Sequence, residues 1–462
     1  MVTEGQHMQK KENQQVEIPE IVRKAIDEYP ELKPVFDFLL DKIRFLEARL
    51  RKYENPHVPS SKQIVKETKA PREPKPRGAP ENHKGATREK PAPDMTVELK
   101  PNSCPKPGCG SKGVRVLKKR RKTVGDIIII KITTEYIYYE CECEDCSTQF
   151  VTGCEELPKE GNFGPNISSL WAALHYVGTV PFARLAAISE NCFCMPITPK
   201  GVEDAIYRAA EVFEPNFRRI RSRVGRSKYA RSDETTYSFN GEKYWAWNIS
   251  GKRDTLVLLR ETRGSAVLKE VFGDFLDGIL NSDCFKGYDK FKAGEYQKCW
   301  AHVLRDAEDL AKHDDDGKWL HRELSRMYRY ILKVKREGGE GSPRVERWVK
   351  RSKERIMEFV EKNYRSKAVL NLALRLSKYR DHWFTCLKYE FVEPTNNASE
   401  RDIRKLVVAR KISGAHRSEL GMRSREIMMS TILTSQKRGE NPFEFIRGGI
   451  EKHNMDCSLK PP

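Results

Sequence analysis

Three consecutive β-type runs follow Ser227, namely KYARSDETTYSF, EKYWAWNIS and DTLVLLRETR, with the turn residues Asn240-Gly241 and Gly251-Lys252 between them. Asn-Gly suits the tight connection of an antiparallel pair, so this stretch predicts a meander in one sheet. A helix over Ser265 to Phe275 and the short strand GILNSD follow, and KCW then leads into the helix AHVLRDAEDLAKH. A meander continued by alternating helix and strand is an α/β arrangement. Residues 313–394 read as a charged helical insertion and 395–436 as a further helix pair.

The 462 residues leave room for about two more folded units upstream. Residues 163–226 read as helices. PFARLAAISENCF is apolar-periodic, and Thr198-Pro199 is an N-cap with proline at the first helical position, opening TPKGVEDAIYRAAEVFEPNFRRIRSRV. Helix, short turn and basic capped helix fit a helix-turn-helix that reads DNA, and fit a plain helical bundle as well. Residues 99–158 hold CPKPGC (Cys104, Cys109), the basic hairpin-like VRVLKKRRKTVGDIIIIKITTEYIYYE, and CECEDC (Cys141, Cys143, Cys146). Two turn-borne thiolate pairs around a hairpin form a zinc-ribbon-like pattern. The expected Zn2+ ligands are Cys104, Cys109, Cys143 and Cys146, with Cys141 as the substitute; a zinc-free hairpin with incidental cysteines is the alternative.

Residues 55–98 are rich in Pro, Lys and Arg and bury too little apolar surface to fold alone, so they read as a basic linker. In 28–54, Phe36, Leu39, Ile43, Leu46, Leu50 and Tyr53 recur by threes and fours, the seam of a short coiled coil and a route to a homo-oligomer. Residues 1–27 read as a polar tail and 437–462 as a C-terminal segment.

Lys plus Arg number 85 against 66 for Asp plus Glu, a net charge of +19, and the pI is about 9.3. Such a balance calls for an anionic polymer or surface as partner. The longest aliphatic run, Ile127 to Ile130, is far short of a membrane span, and the polar start MVTEGQHMQKKENQQ lacks a signal-peptide core. A cytoplasmic, nucleoid-associated protein without membrane contact is expected. Lys118, Lys119, Arg120, Arg121 and Lys122, together with Arg401, Arg404, Lys405, Arg410 and Lys411, are the basic residues expected to touch the DNA backbone.

Asp233 falls at the end of the predicted central strand, Asp283 at the end of GILNSD, and Glu400 at the start of a helix. Three carboxylates converging on one sheet edge suit Mg2+ or Mn2+. Two such ions could serve an in-line phosphodiester displacement. Glu234, Asp289 and Glu393, close in sequence to these three, are expected to be bystanders. Cys299 and His302 share a helical face, where packing of the strand-to-helix corner is the expected role. Trp245 and Trp247 share a strand face, where packing is again expected.

Asp233-Glu234-Thr235, Asp283 with KGYDKF, Cys299-Trp300-Ala301-His302, and Asn396-Asn397-Ala398-Ser399-Glu400-Arg401 followed by Ala409-Arg410-Lys411 resemble the insertion-sequence-66 transposase family. NPHVPSSKQ, the cysteine pairs and GENPFEFI extend the resemblance over most of residues 30–447. It implies a DDE-type transposase with an RNase H-like catalytic core over 227–312 plus 395–436 and the helical insertion 313–394 before the final glutamate. Such an enzyme binds double-stranded DNA at element ends and target, works with accessory proteins, and cleaves and joins strands with divalent metal. Asp233, Asp283 and Glu400, separated by 50 and 117 residues, match the acidic triad. Val407 stands where some such enzymes carry a lysine, so Arg401, Arg404 or Lys405 would have to contact phosphate instead. A domesticated, non-catalytic zinc-containing DNA-binding protein and a metal-dependent nuclease without strand transfer are the competing functions.

Overall fold

The computed structural model of the chain describes Tyr29, Leu39 and residues 92–154, 156–414 and 416–455. The polar tail 1–27, the heptad seam apart from the helical, exposed Leu39, and linker residues 55–91 lie outside the described residues. The chain divides into two units, residues 1–124 and 125–462.

In the first unit, residues 92–124 carry no helix or strand. Cys104 N–H donates to the Ser111 carbonyl at 2.8 Å and Cys109 N–H to the Lys106 carbonyl at 3.0 Å, which closes a turn bearing both cysteines.

The second unit begins irregularly. The long hairpin strands expected over 114–140 do not form, and Ile127, Ile128, Ile130 and Ile132 are 74% to 84% exposed. β-Branched residues favour strands only where a neighbouring strand and a buried face complete them. The pairing is confined to β1 (Glu140–Glu142) and β2 (Gln149–Val151), antiparallel with Cys141 opposite Phe150.

Helices α1 (Pro165–Tyr176), α2 (Phe182–Phe193), α3 (Pro199–Val212) and α4 (Glu214–Gly225) follow. Thr198 caps α3 as its sequence suggests, its hydroxyl accepting from Gly201 N–H at 3.1 Å. The single helix expected beyond it breaks at Phe213, because Pro215 lacks an N–H and its ring crowds the carbonyl four residues back. Val202, Ala205, Ile206, Ala209 and Ala210 of α3 are buried, which leaves Pro199, Lys200 and Glu211 as its exposed positions.

The sheet comprises β3 (Tyr229–Phe239), β4 (Glu242–Ser250), β5 (Thr255–Arg260), β6 (Phe275–Ser282) and β7 (Lys292–Lys298), with α5 (Ala266–Phe272) before β6. Its order is β5-β4-β3-β6-β7; β4 runs antiparallel to both β5 and β3, while β6 runs parallel to β3 and β7 parallel to β6. Asn240 and Gly241 take φ of 47° and 83°, the left-handed pair that an Asn-Gly hairpin turn requires. Gly273, at φ 76°, ends α5 early, so Phe275 opens β6 instead of closing the helix.

Beyond the sheet lie α6 (Trp300–Ala311), α7 (Asp315–Glu337), α8 (Pro343–Glu361), α9 (Lys367–Lys378), α10 (Asn397–Ser413), α11 (Glu419–Lys437) and α12 (Pro442–Met455). One core joins α1–α4, the sheet, α11 and α12 around Trp171, Phe217 and Trp247. A second joins α6–α9 around Trp300, Phe359 and Trp383.

Helix α11 also finishes the sheet edge. The outward N–H groups of Thr255, Val257 and Leu259 on β5 donate to Thr434 Oγ1, Ser430 Oγ and Glu426 Oε1 at 3.0, 2.8 and 2.8 Å. Every second strand residue thus meets every fourth helix residue, since two strand rises nearly equal four helical ones. The edge is closed to other strands. Ser430→Ala strands the buried Val257 N–H and is expected to cost roughly 1–3 kcal/mol by chemical denaturation; an unchanged midpoint would show that the bond contributes nothing.

Candidate active site

Position in the sheet sets the first two carboxylates. The last β3–β6 pair is Arg231 with Asn281, and Asp233 and Asp283 each lie two residues further along, level with one another and on one face. Asp233 does not end its strand as expected: β3 runs on to Phe239 because β4 pairs with it that far, and Asp233 lies opposite Asn248 on β4, while Asp283 follows the last residue of β6. Glu234 N–H donates to Asp233 Oδ1 at 3.0 Å, and Phe285 N–H to Asp283 Oδ1 at 2.9 Å. The buried Lys298 ammonium donates to the Asp283 carbonyl at 2.8 Å and to Ser282 Oγ at 3.1 Å, holding that corner in place.

Glu400 arrives from the far side of the helical insertion, and buried amides guide it back. Gln297 donates to the Trp383 carbonyl at 3.2 Å and accepts from Cys386 N–H at 2.7 Å. Asn281 donates to the carbonyls of Glu393 and Thr395 at 2.9 and 3.3 Å. Asn396, fully buried, donates through Nδ2 to the Ser232 carbonyl at 2.7 Å, beside Asp233, while its own N–H reaches Cys299 Sγ at 3.1 Å. Asn248 Nδ2 donates to the Ser399 carbonyl at 3.3 Å. Glu400 therefore sits in the first turn of α10, where the helix dipole favours a carboxylate.

The electrostatics record this convergence. Burial, and then the negative charges of Glu234, Asp283 and Glu400, push the Asp233 carboxyl from its usual 3.8 up to about 8. One carboxylate expected to be a bystander, Glu234, lies close enough to act on Asp233. Glu234 is buried, its charge acts on Asp233, and it accepts hydrogen bonds from Tyr288 Oη and, at 2.7 Å, from Arg263 Nε. The other two lie apart from this cluster of charges: Asp289 accepts from Tyr379 and pairs with Lys378 at 2.5 Å, and Glu393 faces Arg231 at 3.5 Å.

Cys299 caps α6, with His302 in its first turn. Their ligand atoms and a Glu400 carboxylate oxygen all lie within 4.8 Å of one another, with His302 Nδ1 3.6 Å from Glu400 Oε1. Arg305 approaches the other oxygen of Glu400 at 3.6 Å.

The basic candidates divide by exposure. Arg401, Arg404 and Lys411 face outward on α10, but Lys405 donates to Gln436 Oε1 at 2.6 Å and Arg410 to the carbonyl and hydroxyl of Thr236. Lys118, Lys119, Arg120, Arg121 and Lys122 are all exposed, with Lys119 3.1 Å from Glu98. Trp247 is buried and donates to the Thr262 carbonyl at 3.1 Å; Trp245 is half-buried, with Lys243 and Arg263 5.0 and 4.8 Å from its ring. The roles of Tyr288, Arg263, Lys298, Asn281 and Asn396 were not legible in the sequence. Tyr288 and Asn396 stand in the motifs KGYDKF and NNASER, whereas Arg263, Lys298 and Asn281 carried no such sign.

The scaffold is thus a mixed α/β fold with carboxylates gathered where the pairing of the inner strands β3 and β6 ends. A family model described as Transposase IS66 family matches residues 160–424, more than half of the chain, and the chain belongs to that family. It is also similar to an uncharacterized protein, y4jO, from Sinorhizobium fredii (strain NBRC 101917 / NGR234), with 26% identity over 161 residues. That match takes in 34% of this chain and 48% of the relative, so the chain spans about half the length of the curated relative it matches. Among the described residues, no helix is long and apolar enough to cross a membrane.

Proposed function

We propose that this chain is a DDE-type DNA transposase that binds element ends and catalyses metal-dependent strand cleavage and strand transfer. The observation that carries the reading is the convergence of Asp283 and Glu400 on the half-buried Asp233, although their sequence positions differ by 117. An antiparallel meander extended by two parallel strands supports an RNase H-like description of the core.

The residues fit a divalent cation. Their donors are hard oxygens, Glu400 Oε1 is buried without a hydrogen-bond partner, and burial followed by the neighbouring negative charges lifts Asp233 far above its usual range. Asp233, Asp283 and Glu400 would hold Mg2+ or Mn2+, whose chemistry when bound is activation of a water or 3′-hydroxyl and stabilisation of the leaving oxygen. The chain itself positions these oxygens. Backbone N–H groups orient Asp233 and Asp283, Lys298 fixes the Asp283 carbonyl, and Asn396 ties α10 to β3. Arg401, Arg404 and Arg305, exposed around Glu400, would meet DNA phosphates; Lys118 to Lys122 and Lys411 would add contacts without reading sequence.

Zn2+ at Cys104, Cys109, Cys143 and Cys146, with Cys141 as substitute, belongs to the same proposal. Cys143 and Cys146 lie on the β1–β2 turn, where Ser147 N–H donates to the Cys143 carbonyl at 2.8 Å. Hydrogen bonding with Thr148 holds the Cys146 thiol below its usual pKa, toward the thiolate that a metal needs.

The test is joining of a pre-cleaved element end to target DNA by the full chain. Joined product in Mg2+ and none in EDTA is expected. Cleavage without joining would make the protein a nuclease, and DNA binding with neither would leave it a non-catalytic binding protein.

A further inference from the structure

We infer that Cys299, His302 and Glu400 form a second metal site, for a thiophilic transition ion of the Zn2+ or Co2+ class, distinct from the hard-ion site at Asp233 and Asp283. The three donors come from two helix starts that the fold locks together: Cys299 N–H donates to the Ser282 carbonyl at 3.0 Å, and Asn396 N–H donates to Cys299 Sγ at 3.1 Å. Their ligand atoms lie within 4.8 Å of one another.

The His302 Nδ1 to Glu400 Oε1 separation of 3.6 Å is too long for a good hydrogen bond. It is close to the roughly 3.4 Å edge expected of a tetrahedron with Zn–N and Zn–O bonds of about 2.0–2.2 Å. Both atoms are buried, and neither has a hydrogen-bond partner. A shared cation would satisfy the two together. One sulfur, one imidazole nitrogen and one carboxylate oxygen form an open three-ligand set, with the fourth position free for water or a ligand. Thiolate and imidazole favour Zn2+ or Co2+ over Mg2+. Packing alone does not account for His302, which is half-buried yet turns Nδ1 inward toward the carboxylate.

Glu400 would then be shared. Binding of the thiophilic ion needs only the three side chains, whereas its competition with Mg2+ rests on the proposed role of Glu400 in the catalytic set.

The test is Co2+ titration of the full chain, read by the thiolate-to-cobalt charge-transfer band. An ion held only by Asp233 and Asp283 gives no such band. Any cobalt at Cys104, Cys109, Cys143 and Cys146 contributes equally to all variants and cancels in the difference. Wild type is expected to show a band component that Cys299→Ser lacks, and that His302→Ala binds roughly 10- to 100-fold more weakly, at least the loss seen for outer partners of metal sites. Identical spectra and affinities in wild type and His302→Ala, whose half-buried side chain can be removed without opening the core, would overturn the site. A component that persists at unchanged affinity in excess Mg2+ would uphold the thiophilic site and count against Glu400 as a Mg2+ ligand.

Discussion

Glu400→Gln is expected to abolish strand joining, lowering its rate by about a thousandfold or more, while leaving affinity for DNA within a few-fold of wild type. The amide keeps the shape of the side chain and its place in the first turn of α10 but loses the charge that attracts a divalent cation. Metal-assisted stabilisation of a phosphoryl transition state contributes several kcal/mol, and about 4 kcal/mol corresponds to three powers of ten. Asp233→Asn and Asp283→Asn should behave alike. Binding survives because phosphate contacts come from basic side chains elsewhere, and removal of an anion near the DNA lessens repulsion. Asp289→Asn and Glu393→Gln are the controls and should retain most activity, because their partners are Lys378 with Tyr379 and Arg231. Glu234→Gln is not a control. It removes a buried charge that acts on Asp233 and breaks the pair with Arg263. A Glu400→Gln protein joining at near wild-type rate while Glu393→Gln fails would move the third ligand seven residues upstream.

The second large effect is on stability. Asp233 titrates near 8 in the folded protein and near 3.8 when unfolded, so between those values the folded state holds a proton that the unfolded state has lost. The stability that this protonation supplies is complete below about 3.8 and is lost as pH rises through about 8. Glu234, also raised by burial and by the charge of Asp283, works in the same direction. Metal-free protein should therefore melt at progressively lower temperature across this window, a loss on the order of 5 kcal/mol at most. Mg2+ should restore much of it at the alkaline end, since an ion bound only by the folded state stabilises by mass action. Asp233→Asn should flatten the pH dependence and remove the Mg2+ effect. Equal pH slopes in wild type and Asp233→Asn would mean that the carboxyl is not held protonated.

What the sequence disclosed was mostly local chemistry. Thr198-Pro199 marked a helix start and Asn240-Gly241 a hairpin, because cap and turn geometry depend on adjacent residues. Asp283 stood out because a strand end is visible in the pattern, whereas Asp233 lies inside β3 and is marked only by the parallel register that makes it level with Asp283. Strand β7, reading KAGEYQK, was not expected, since its polar alternation resembles a loop and only its pairing with β6 makes it a strand. The hairpin expected over 114–140 failed for the opposite reason: its β-branched residues find no face to cover them. The surroundings of Glu234 were not legible, because sequence proximity to Asp233 says nothing of the Tyr288 and Arg263 side chains that meet it from 54 and 29 residues away. Asn396 was noticed only as part of a motif, and its bond to the Ser232 carbonyl spans 164 residues.

The central claim is that Asp233, Asp283 and Glu400 together hold the catalytic ions. Anomalous diffraction from crystals of the full chain equilibrated with Mn2+ tests it most directly. Manganese peaks coordinated by Asp233 and Asp283, with Glu400 completing the set, and lost in Asp233→Asn crystals, are the predicted result. Well-ordered crystals at saturating Mn2+ with no peak between Asp233 and Asp283, or with peaks that persist unchanged in Asp233→Asn, would contradict the account.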